Sequence, residues 1–277
     1  MVSMINDEKC LITDFDNTLF DWFDNWYQAF NGALEYIYSQ VPTLNKEVLL
    51  NDIKSIHLKH HTTEYLNVFY EIGKSSKYKD ISNFYKICKD ATDLREKLKV
   101  QNLQLFHNVI DTLKFLKEHS YKLIIFTESE AFSTATRVKE LNLDGIIDYI
   151  FAPPAKNFGD INLQTTQLIS FDKQAHYKPE KKNLEKIVND LHLKRENCYY
   201  LGDSLIKDIK MAQNAKIIDF YAKYGESYKN RPEYELLKKV TFWTEALVKE
   251  EEKIDVENIK PTYILENSIS EILDILH

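Results

Sequence analysis

Glycine is nearly absent from this chain. It supplies six of 277 residues, about 2% against a usual ~7%, so each glycine inside a motif carries weight. No Gly/Ser linker, internal repeat or low-complexity tract interrupts the sequence. Long apolar runs are missing too. Nothing approaches the roughly 18 unbroken apolar residues that span a bilayer, which argues against an integral membrane protein. The first ten residues carry Asp7, Glu8 and Lys9 and lack a signal peptide's apolar run. Cysteine is odd in number and scattered, at Cys10, Cys88 and Cys198, with no CxxC pair. That pattern suits reduced thiols in a cytoplasmic protein and offers neither a disulfide framework nor a cysteine-built zinc site. Basic charge is short as well. The 36 Lys and Arg stand against 43 Asp and Glu, a formal net charge of -7, which disfavours a nucleic-acid polymer as partner.

What is present fits a globular protein. Hydrophobic residues make up 44% and charged residues 29% of the chain, enough apolar material for a sizeable core in one or two domains. Short apolar runs rich in β-branched and aromatic residues occur at Cys10–Asp14, Tyr121–Thr127, Asp148–Ala152, Cys198–Gly202, Lys216–Tyr221 and Thr262–Leu265. Most are nearly continuous, as strands buried on both faces should be. Amphipathic stretches lie between them, one marked by Val109, Leu113, Leu116 and Lys117, another by Leu184, Ile187, Val188 and Leu191. Alternation of strand and helix predicts an α/β fold with a Rossmann-like parallel sheet.

Two segments break the alternation. Residues 21–102 hold no convincing strand, but apolar residues recur there at helical spacing, as at Leu66, Phe69 and Tyr70 and at Leu94 and Leu98. This reads as a helical domain inserted into a core formed by 1–20 and 103–277. Residues 153–176 are polar and poorly periodic, a connection longer than most. The charged run Lys249–Glu257 reads as a solvated surface segment. At the far end, Ser268 and Glu271 match a capping box, with Ile269, Ile272, Leu273 and Leu276 on one helical face.

The chemistry-bearing residues follow the strands. Asp14-Phe15-Asp16-Asn17-Thr18 comes directly after the first one, at the end of an α/β sheet where ligands bind. In an extended segment Asp14 and Asp16 share a face. Two unit charges about 5 Å apart repel by roughly 3 kcal/mol at an effective dielectric near 20, a cost that a cation or a proton relieves. A plain turn at Asp16-Asn17 is the bland alternative. Gly202-Asp203, followed by Asp208, repeats the pattern of a strand ending in acids, and such hard oxygen donors suit Mg²⁺. As an ordinary first-turn acid, Asp208 would need no ligand. Thr127 ends another strand, where a hydroxyl beside free amides can hold a phosphoryl oxygen, although Ser129 as a helix cap explains part of that segment. Lys178 precedes Pro179, which sets it extended at the mouth of a helix.

In this order the DxDxT block at 14–18, Thr127, Lys178 and the GDxxxxD block at 202–208 resemble the four motifs of the haloacid dehalogenase superfamily. The resemblance spans the chain apart from the details of the inserted helices. Residues 21–102 look like the type 1 helical cap of its phosphoglycolate phosphatase-like branch. The resemblance implies a Mg²⁺-dependent phosphatase acting on a small phosphorylated metabolite. Asp14 would be the nucleophile and Asp16 the acid and base, while Thr127 and Lys178 would hold the phosphoryl group. It also implies Mg²⁺ on Asp14, on Asp203, on the main-chain carbonyl of Asp16, and on Asp208 directly or through a second shell. Dehalogenases and phosphonatases of the family lack the second aspartate, so Asp16 points to a phosphate ester. Glu128 departs from the pattern, which more often has Asn there.

A 5'-nucleotidase and a sugar phosphomutase are the alternatives within the family. A non-catalytic phospho-aspartate switch shares the acidic cluster, but its phosphorylated aspartate follows a third strand and it has no place for the insertion. Within the insertion, Trp22, Trp26 and Phe30 at helical spacing read first as packing and second as a stacking surface. His57 and His61, four apart with His60 between them, lack a third ligand or an HExxH glutamate and read as exposed histidines rather than a zinc site.

Overall fold

The computed structural model describes residues 8–154, 162–171, 177–243 and 259–276. The chain forms two compact units. The first is a seven-stranded, all-parallel sheet in the order β4-β3-β2-β1-β5-β6-β7. Its strands are β1 (Cys10–Thr13), β2 (Lys122–Phe126), β3 (Tyr149–Ala152), β4 (Gln167–Ser170), β5 (Cys198–Gly202), β6 (Ile218–Ala222) and β7 (Tyr263–Leu265). β1 is buried at all four positions, as a central strand flanked on both faces must be. It pairs with β2 on one side and β5 on the other, setting Thr13 opposite Ile125 and Leu201. The strand order reverses at β1, so a crevice is expected beyond its carboxyl end.

Helices α5 (Val109–Glu118), α6 (Ala131–Glu140), α7 (Lys182–Asp190) and α8 (Lys210–Ala215) belong to this unit. Leu184, Ile187 and Val188 of α7 are buried in a cluster with Ile12, Ile124, Tyr200 and Met211. Cys10 and Cys198 are register partners across β1 and β5. All three cysteines are free and buried.

Three details differ from the sequence reading. β4 lies inside 153–176, where no strand was expected. It is an edge strand with three of its four residues exposed, so it lacks the apolar pattern that marks a buried one. The rest of that segment, apart from 153, 154, 162–166 and 171, lies outside the described residues, as does Lys249–Glu257. α7 starts at Lys182, leaving Lys178-Pro179 in a turn closed by the Glu180 N–H on Tyr177 O at 2.8 Å. The capping box at Ser268 and Glu271 is present, but it opens a 3₁₀ helix, Ile269–Asp274.

The second unit is helical: α1 (Trp22–Gln40), α2 (Lys46–His60), α3 (Val68–Gly73), α4 (Phe84–Gln101) and α9 (Tyr234–Val240). Phe23, Trp26, Phe30, Leu34 and Ile37 line the buried face of α1, an amphipathic stripe of helical period. Trp26 stacks on Phe30 with centroids 5.0 Å apart, so these aromatics are core packing. α9 was expected with the sheet, yet it falls in the helical unit. Leu237 and Val240 are buried there, and Val240 O meets His57 Nδ1 at 2.6 Å. His57 is accordingly buried, not exposed. Burial is the main cause that lowers its pKa to about 4. His60 pairs instead with Glu71 at 2.9 Å. Among the described residues no helix is long and apolar enough to cross a membrane.

Candidate active site

All the motif residues lie in the sheet unit. Asp14 follows β1 directly, and its N–H donates to Leu201 O at 2.8 Å, continuing the sheet by one bond. Asn17 then adopts φ 57°, a left-handed conformation that Asn tolerates, and the chain turns over the strand end. Thr18 Oγ1 lies 3.4 Å from Asp14 Oδ2 and 3.5 Å from Asp203 Oδ1. It bridges the carboxylates that end β1 and β5.

Asp208 is buried in the turn of π-helix Leu205–Ile209. Its Oδ1 accepts from Tyr200 OH at 2.7 Å and its Oδ2 from the Ser204 N–H at 3.1 Å. Gly202 makes room for it, since a Cβ there would sit 2.4 Å from Asp208 Cγ. Lys178 reaches the same place. Its Nζ is 2.7 Å from Asp208 Oδ1 and also donates to Asp14 Oδ1, with only 3% of its side chain exposed. The Lys178 N–H donates to Glu128 Oε1 at 3.0 Å. Glu128, at the position where Asn is more common, thus holds the backbone that carries the ammonium.

Burial alone would discharge these groups. It disfavours the Lys178 ammonium, but the charges of Asp14 and Asp208 outweigh it and hold Lys178 well above the ordinary lysine value. Asp14 goes the other way. Burial first, then Asp208 and Asp16, push its carboxyl up to about 7 against the pull of Lys178. The site is therefore short of positive charge. Asp14, Asp203 and Asp208 each offer a carboxylate oxygen, all within 4.8 Å of one another. Three clustered hard oxygen donors fit Mg²⁺ better than a soft transition metal.

Thr127 is buried at the end of β2, beside β1. Its N–H donates to Phe151 O at 3.1 Å and its Oγ1 accepts from the Ser129 N–H at 3.1 Å. The carboxylate of Asp16 is not among the clustered metal donors. Its Oδ1 is 3.1 Å from Arg137 NH1 of α6, and its Oδ2 accepts from Ser129 Oγ at 2.5 Å. Ser129 was expected as a helix cap. The residue before α6 is Glu130, which makes no side-chain cap, and the Ser129 hydroxyl serves Asp16 instead.

Sequence reading passed over Arg137, Tyr224 and Gly225. Tyr224 OH donates to Thr18 O at 2.8 Å. A Cβ on Gly225 would lie 1.9 Å from Asn17 O and 3.0 Å from Asp203 Cβ. The scarcity of glycine was the one available signal for Gly225; nothing local marks the other two.

A family model for haloacid dehalogenase-like hydrolases matches residues 8–216. The chain belongs to that family. No curated protein matches it. Among solved structures it is similar to YfnB from Bacillus subtilis, provisionally assigned as a HAD hydrolase and bound to magnesium, at 17% identity and TM-score 0.53 over 98% of this chain and 99% of that one. It is also similar to a 2-haloacid dehalogenase from Pseudomonas syringae, at 15% identity and TM-score 0.56 over 97% and 98%. A predicted phosphoglycolate phosphatase from Haemophilus somnus is similar at 16% identity and TM-score 0.54 over 99% and 100%. At these identities the likeness is one of fold.

Proposed function

We propose that this hydrolase is a Mg²⁺-dependent phosphatase that cleaves small phosphate monoesters through an aspartyl-phosphate. The observation that carries the reading is the joint placement of Asp14, Asp203, Asp208 and Lys178 at one strand end, with Asp16 two residues beyond Asp14. A dehalogenase needs the first aspartate but has no use for an acid at the position of Asp16.

An oxygen of Asp14 attacks phosphorus as the bond to the ester oxygen breaks, dividing one difficult displacement into two easier ones. Asp16 gives its proton to the departing oxygen. It then takes a proton from water, whose oxygen attacks the same phosphorus, releases phosphate and restores Asp14. Lys178 and Thr127 hold the phosphoryl oxygens in place, since phosphoryl transfer depends chiefly on positioning and charge stabilisation. Asp14, Asp203 and Asp208 would hold Mg²⁺, which when bound neutralises charge on the phosphoryl oxygens. The helical unit takes the role of cap, selecting a small phosphorylated metabolite and excluding water.

Phosphate release should therefore occur from nucleotides, sugar phosphates or organic-acid phosphates in a screen with Mg²⁺, stop on chelation and return when Mg²⁺ is added back. Turnover that survives exhaustive chelation would remove the metal role. Retention of phosphate on an isomerised sugar, dependent on a bisphosphate primer, would replace the phosphatase with a mutase.

A further inference from the structure

Tyr200 is wholly buried in the middle of β5, in the cluster that includes Ile12, Ile124 and Met211. A phenol hydroxyl in such surroundings needs a partner, and Tyr200 OH has one in Asp208 Oδ1, to which it donates at 2.7 Å. The same oxygen meets Lys178 Nζ at 2.7 Å, and Lys178 also donates to Asp14 Oδ1. Hydroxyl, carboxylate and ammonium thus form one chain of polar contacts that ends on Asp14. The Tyr200 ring adds a second contact. Its centroid lies 5.9 Å from Lys178 Nζ, and that of Phe126, on β2, lies 5.3 Å away.

An ammonium is a compact charge with three N–H groups on a flexible stem, so its neighbours decide where it sits. The two rings attract it over their faces, but a ring face sets no direction for an N–H. Asp208 does set one, provided its own carboxylate is held. The Ser204 N–H holds Oδ2 at 3.1 Å, and Tyr200 holds Oδ1. We propose that Tyr200 is a positioning residue for the reaction: its hydroxyl locks the Asp208 carboxylate and through it fixes the Lys178 ammonium. Both side chains are buried, so bulk water does not stand ready to replace the bond. An ammonium fixed in advance stabilises a transferring phosphoryl group better than one that must first reorient.

This rests on the phosphatase reading, and it predicts a split between transition state and ground state that a merely structural role would not produce. Tyr200→Phe removes the hydroxyl and keeps the ring, which isolates the bond to Asp208. Orthovanadate takes the five-coordinate shape of a phosphoryl group in transfer, whereas inorganic phosphate keeps the ground-state shape. With Mg²⁺ saturating, Tyr200→Phe should lower kcat about 10- to 100-fold, the scale of one hydrogen bond to a charged group. KM should stay within about twofold of the wild type, as for an interaction realised in the transition state. Calorimetric titration should show vanadate binding weakened by the same factor as kcat, and phosphate binding changed by no more than about twofold. Tyr200→4-aminophenylalanine, which restores a donor at the same place, should recover part of the loss. Should Tyr200→Phe fail to fold, Tyr200→Met fills the position without a hydroxyl and should show the same split. Unchanged kcat in a folded variant, or equal weakening of vanadate and phosphate, would overturn the role of Tyr200 alone, as would the failure of both variants to fold. A wild type that hydrolyses no phosphate ester would sink the phosphatase reading and this inference together.

Discussion

At the scale of residues, what was legible in the sequence is what neighbouring residues encode. Asp14, Asp16 and Thr18 lie within five positions, and Gly202, Asp203 and Asp208 within seven. Their spacing displays the site before any fold is known. Arg137 and Glu128 act on groups 121 and 50 residues away, and no local pattern announces a partner at that distance. His57 makes the same point in the helical unit. Its spacing to His61 suggests an exposed pair, while its Nδ1 in fact meets Val240 O, 183 residues on. That contact has a pH signature. The folded pKa lies at about 4, below the ordinary histidine value of 6.5, so between those values the unfolded chain binds more protons. Stability should be full above about pH 6.5 and fall as the pH drops toward 4, by up to about 3 kcal/mol. Denaturant unfolding of the wild type and His57→Asn at pH 7 and pH 4.5 reads this directly. The variant should lose less stability across the interval than the wild type, and parallel curves would show that His57 contributes no such linkage.

At the scale of elements, the strands buried on both faces gave the clearest sequence signal. Cys10–Thr13 and Lys122–Phe126 carry nearly continuous apolar runs because both faces of the sheet centre are buried. β4 is the exception, since an exposed edge strand needs no such run. α9 was assigned to the wrong unit because seven residues of helix do not reveal which core receives them. The turn carrying Tyr224 and Gly225 follows β6 and presses on the loop after β1. Gly225→Ala should push Asn17 aside, because its Cβ would meet a carbonyl oxygen at 1.9 Å and not a yielding side-chain tip. A shift of about 1 Å in a nucleophile-bearing loop can cost about 100-fold in rate. Steady-state assays should accordingly show kcat collapse in Gly225→Ala, and a variant with wild-type kcat would mean the loop has room to spare.

At the scale of the whole molecule, the chain passes between its two units more often than a simple insertion requires. The helical unit takes Trp22–Leu103 and a second segment beginning at Tyr228. Tyr228 stacks on Phe23 at 4.9 Å and Arg231 pairs with Asp24 at 2.9 Å, tying the late segment to the start of α1. Asp14, the clustered acids and Lys178 nevertheless all belong to the sheet unit, so under the proposed mechanism the chemical step would be carried by that unit. The most direct test of that chemistry is acid-quench trapping with a ³²P-labelled monoester in the presence of Mg²⁺, using Asp16→Asn to slow the second step. One phosphoryl group per chain should accumulate on the peptide containing Asp14, and Asp14→Asn should abolish both the label and phosphate release. Label on another residue, or an Asp14→Asn protein that still turns over at a substantial rate, would contradict the account.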